Sequence, residues 1–116
     1  MDTNSLRLRR RLACVAFTFA AGLVAAGAAQ ARDEQAIALL HKYRCYVCHA
    51  DHDVKTGPAY ADVAAWYKGK PGALTRVTAV IRNGAHGGGP WHMPPHPEVS
   101  KADARTMARY ILSQRR

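Results

Sequence analysis

Cys45-Tyr46-Val47-Cys48-His49 restricts the fold of this chain more than any other segment. Two thiols one short turn apart, followed at once by an imidazole, must converge on each other, on a metal ion, or on a bound group. A redox dithiol would be expected after a strand in a βαβ pattern, and no such pattern surrounds Cys45. A zinc site needs further ligands. There is no second C-x-x-C, and Pro94 and Pro95 between His92 and His96 rule those two out as a helical ligand pair. The third reading is C-x-x-C-H as the attachment spacing for a covalent haem. The thiols of Cys45 and Cys48 add to its two vinyl groups as thioethers, and His49 falls beneath the iron.

The size of the chain makes a covalent cofactor useful. Of the 116 residues, the first 31 differ in kind from the rest. Arg7, Arg9, Arg10 and Arg11 are followed by an uncharged, Ala-rich run from Leu12 to Gly27, then by Ala29-Gln30-Ala31. Basic, apolar, then small-x-small is the layout of a secretory signal peptide. The apolar run of about 16 residues is short for a membrane span, which needs roughly 20. A retained anchor and twin-arginine export are the weaker alternatives. Residues 1–31 are therefore expected to be a cleavable signal and residues 32–116 a single domain, with no stable membrane insertion after cleavage. Cys14 leaves with the signal. The remaining 85 residues carry 13 Lys+Arg against 7 Asp+Glu, a formal charge of +6. A domain of that length buries only about 60–65% of its unfolded surface, and a cofactor is one way to complete such a core.

A second axial ligand is expected on the stretch from Asn83 to Pro97, whose Gly and Pro content predicts a long, shaped loop. Met93, followed by Pro94 and Pro95, is read as a positioned ligand rather than core filler. His86, His92 and His96 are its rivals on the same loop. His/Met ligation raises the reduction potential relative to a bis-His site.

In these residues the chain resembles the short bacterial monohaem class I cytochromes c of the c551/c552 kind. The resemblance runs through the helix before Cys45-x-x-Cys48-His49, then Gly57-Pro58-Ala59-Tyr60, Asp62-Val63-Ala64-Ala65, Ile81-Arg82-Asn83-Gly84, Met93-Pro94-Pro95 and Val99 to Leu112. It implies one covalent haem c with His49 and Met93 on the iron. It also implies that the backbone carbonyl of Pro58 accepts from the His49 ring, an interaction that orients the imidazole and raises its basicity. Two positions depart from the pattern. The glycine stretch Gly87-Gly88-Gly89 is one residue shorter, which brings Trp91, the candidate for a propionate contact, nearer to Met93. His96 stands where Asn is common.

The scaffold is expected to be all-α, a small class I cytochrome c fold with about four helices and loops wrapped around one haem. Ala36, Ile37, Leu39 and Leu40 mark one helical face between Asp33 and Tyr43. A short helix is expected over Asp62 to Tyr67. Leu74, Val77 and Ile81 predict another over Ala73 to Asn83, with Gly84 as its C-cap. Ser100 with Asp103 reads as a capping box opening a last helix striped by Ala104, Met107, Ala108, Ile111 and Leu112. The expected role is periplasmic transfer of single electrons by a monomer, without enzyme activity. Positive charge would favour redox partners with acidic docking patches. Nucleic acid is excluded by export and by the lack of a clustered basic run. The alternative function is a haem enzyme or a gas or peroxide sensor, which would require an open or His-replaced sixth position.

Overall fold

The computed structural model describes residues 24–86 and 92–116. Contacts divide the chain into two units, residues 1–32 and 33–116. In the first, the described residues 24–32 are helical and exposed. The second contains the core. Among the described residues the fold is helical, as expected, with four α-helices and no sheet: α1 (residues 24–42), α2 (Tyr60–Tyr67), α3 (Ala73–Asn83) and α4 (Lys101–Ser113), with a 3₁₀ turn at Cys45–Val47. No helix among them is long and apolar enough to cross a membrane.

Burial begins at Ala36. Ala36 and Leu40 of α1 meet Val77 and Ile81 of α3 and Met107, Ala108 and Ile111 of α4 in one apolar cluster. Leu40, Val99 and Met107 are the largest side chains hidden almost completely. Each such residue contributes about 1.5–3 kcal/mol by leaving water.

Helix ends are set by local chemistry. α1 stops where Arg44 enters the left-handed region at φ 60°, the single non-glycine residue there among those described. A residue with a Cβ is strained in that conformation, and the turn it makes leads directly into Cys45. α2 starts at Tyr60, two residues before the expected Asp62. Its first amides find acceptors outside the helix: Tyr60 N–H donates to Ala50 O at 2.9 Å and Ala61 N–H to Asp51 O at 2.9 Å. These bonds sew the start of α2 to the residues just after His49.

α3 has the expected bounds. Its C-cap, Gly84, takes φ 77° and returns its N–H to Val80 O. α4 opens on Ser100, whose Oγ accepts from Asp103 N–H at 3.0 Å. The capping box is half realised, because the Asp103 carboxylate turns instead to the Tyr43 hydroxyl at 2.7 Å and so ties α4 to the end of α1. Val99 and Ala104, both buried, flank the cap as a hydrophobic staple.

Candidate haem-binding site

The core encloses a mostly apolar cavity of about 310 Å³, with Cys45, Cys48, His49, Pro58, Met93 and Met107 on its wall. The 3₁₀ turn places both cysteines there as free thiols, Cys45 partly buried and Cys48 exposed. Burial raises the pKa of the Cys45 thiol.

His49 is held from three sides. Its Nδ1–H donates to Pro58 O at 2.8 Å. A carbonyl can only accept, so this bond fixes the tautomer and leaves Nε2 with its lone pair. Tyr60 stacks on the ring at 5.3 Å between centroids and 20° between planes. Gly57 closes the third side: a Cβ there would meet the ring, lying 2.8 Å from Nδ1 and 2.9 Å from Nε2. Gly57 is itself fastened by its N–H to Cys48 O at 2.7 Å. Desolvation lowers the pKa of His49, outweighing the opposite effect of the Pro58 bond, so the neutral, ligating form is favoured.

Met93 comes from the other end of the chain. Its backbone pairs with Ala85 in an isolated antiparallel bridge, Ala85 N–H to Met93 O at 3.0 Å and Met93 N–H to Ala85 O at 3.2 Å. The Gly- and Pro-rich loop is thus pinned where it had been expected to lack regular pairing. Gly84 adjoins the bridge: a Cβ there would strike the Met93 carbonyl and come within 2.9 Å of Pro94 C. His96 N–H donates to Arg82 O at 2.9 Å, and Arg82 Nε–H to Val99 O at 2.9 Å, which fastens the rest of the loop to α3.

His92 and His96 also reach the cavity wall; the Nδ1 of His92 faces that of His86 at 3.4 Å, and the Nδ1 of His96 pairs with Glu98 at 3.1 Å. His92 is exposed, whereas Met93 is partly buried. Trp91 and the Gly87–Gly89 stretch lie outside the described residues.

The donor set is two thiols on one turn, an imidazole with one free nitrogen, and a thioether from a pinned loop, around an apolar cavity. It fits a covalently attached haem. Tyr60 adds a further sign: its buried hydroxyl has no protein partner among the described residues, an exception that folded proteins rarely keep and that a bound group with polar atoms could relieve.

Comparison with known proteins gives the same answer. The Cytochrome c family model matches residues 24–115. The chain belongs to the cytochrome c family. This cytochrome c is 40% identical over 97 residues to cytochrome c-551 of Pseudomonas aeruginosa, covering 83% of this chain and 90% of that one. It is 41% identical over 98 residues to cytochrome c-552 of Nitrosomonas europaea, covering 83% and 91%. The crystal structure of the Nitrosomonas europaea cytochrome c552 superposes with a TM-score of 0.65 at 38% identity, over 68% of this chain and 99% of that one. The protein therefore carries one covalent haem c on the Cys45–Cys48 motif. It passes electrons to redox partner proteins and is an electron carrier rather than an enzyme.

Two features of this cytochrome c were missed by reading its sequence. Gly57 had been noted only as part of a matching segment, and its contact with a ring eight residues earlier follows no local spacing rule. Asp51, which accepts from Tyr46 at 3.1 Å and from Tyr110 at 3.0 Å, ties the attachment turn to α4. An isolated Asp in a loop gives no signal of that role.

Proposed function

We propose that the protein is a periplasmic carrier of single electrons whose haem iron is held by His49 Nε2 and Met93 Sδ, with Cys45 and Cys48 as the thioether attachments. The bound haem supplies the one-electron couple. The observation that carries this reading is the clamped His49: Pro58 O occupies Nδ1 and leaves the Nε2 lone pair for a metal, while Tyr60 and Gly57 confine the ring. The bridged Met93 offers a soft thioether at the cavity wall.

Electron transfer needs both ligands kept in both oxidation states, so their rigidity is the chain's main contribution. Pro58 O holds His49. The Ala85 bridge holds Met93. The apolar wall excludes water, and the thioether favours the reduced state.

Export supports the periplasmic assignment: the Ala29-Gln30-Ala31 site lies one residue from the boundary at Arg32–Asp33 between the two units. We take cleavage to follow Ala31 and the mature protein to be a monomer. Its charge of +6 suits partners with acidic docking patches, which speeds encounter and is screened by salt.

Redox titration of the exported protein should give a reversible one-electron curve, and the reduced protein should not bind carbon monoxide until Met93 is replaced by Ala. Rapid carbon monoxide binding by the unaltered, folded protein would mean an open iron and would move the reading to a haem sensor or enzyme.

A further inference from the structure

We propose that His86 and His92 form a two-point binding site for zinc ion, separate from the haem ligands. The Ala85–Met93 bridge sets these next residues facing each other at the neck of the loop, so chain ordering has already been met before any ion arrives. Both side chains are exposed and open to solvent. Their rings lie 4.8 Å apart between centroids and tilted by 50°, with Nδ1 facing Nδ1 at 3.4 Å.

That separation is long for a hydrogen bond between imidazoles. It matches the span of two nitrogens on one tetrahedral zinc, which bond lengths of about 2.0–2.1 Å place about 3.3 Å apart. Neutral imidazole is a good ligand for zinc.

His96, on the same loop, is paired with Glu98, its Nδ1 3.1 Å from Oε1. No group of three or more His, Cys, Asp or Glu suited to a metal occurs among the described residues. Two protein nitrogens leave the other coordination positions to water or to a side chain of a docked protein. The chain's net positive charge opposes cation binding, so a weak, exchangeable site is expected.

The test is calorimetric titration of the exported, haem-loaded protein with zinc chloride, with far-UV circular dichroism to verify the fold of each variant. One ion should bind per molecule. His86→Gln and His92→Gln should each weaken binding roughly tenfold or more, while His52→Gln, remote in sequence, should not. Absence of saturable binding would overturn the proposal. So would binding that survives both substitutions, or that depends on only one of the two histidines.

Discussion

A methyl group at Gly57 would occupy the space of the His49 ring, and one at Gly84 the space of the Met93–Pro94 backbone. Each candidate axial ligand therefore rests on a glycine, for different reasons. Gly57 is needed for close approach alone, and the ring could yield only by giving up its bond to Pro58. Gly57→Ala should cost about 1–3 kcal/mol, as overpacking does, and lower the guanidinium unfolding midpoint. At Gly84 the positive φ adds strain to the collision, and the atoms it meets belong to backbone that cannot rotate away. Gly84→Ala should cost about 2–4 kcal/mol by the same measurement. A loss confined to Gly84 would show that the His49 side of the cavity relaxes easily. The sequence made Gly84 legible, since a glycine after a helical stripe signals a C-cap. Gly57 was not legible, since its neighbour is brought to it by the closing of a loop.

At the scale of elements, periodic apolar faces marked α1, α3 and α4, and α3 matched residue for residue, whereas the short α2 was expected without such a face and starts two residues early. The ends set by long-range bonds were harder to read. α2 gains Tyr60 and Ala61 because carbonyls beyond the helix receive their amides, a pairing that residue types do not announce. The Ser100 cap was readable because the side chain and its target are three residues apart. Ser100→Ala should destabilise the protein by about 0.5–2 kcal/mol, measured by thermal unfolding. Asp62, in the first turn of α2, accepts from Arg116 Nε–H at 2.6 Å. That bond holds its carboxyl below its ordinary pKa of 3.8. A lowered carboxylate stabilises the fold above its ordinary pKa, and the contribution fades as pH falls through the lowered value. The pair is at the surface, so its effect on stability is small and its titration is the better readout. Arg116→Ala should move the Asp62 midpoint upward in a carboxyl-carbon NMR titration, and an unmoved midpoint would mean that the two do not pair in solution.

For the molecule as a whole, the haem has to be counted as part of the core. Met107 and Ile111 of α4 and Leu40 of α1 line the cavity as well as packing on one another, so the helices that the sequence marks as amphipathic share a face whose remaining partner is the cofactor. A covalent group is one way for so small a domain to complete its core. The identity of the cofactor was legible in five consecutive residues. The apparatus that orients it was only partly legible, because Pro58, Gly57, Asp51 and Ala85 act through backbone groups or distant partners. Met93 is the proposed second ligand of the iron beside His49. The most direct measurement is the visible absorption spectrum of the exported ferric protein beside its Met93→Ala variant. A weak far-red sulfur-to-iron band, present in the unaltered protein and absent from the variant, is the predicted result. Haem bands without that feature in the unaltered protein would contradict it and would assign the sixth position to a loop histidine or leave it open.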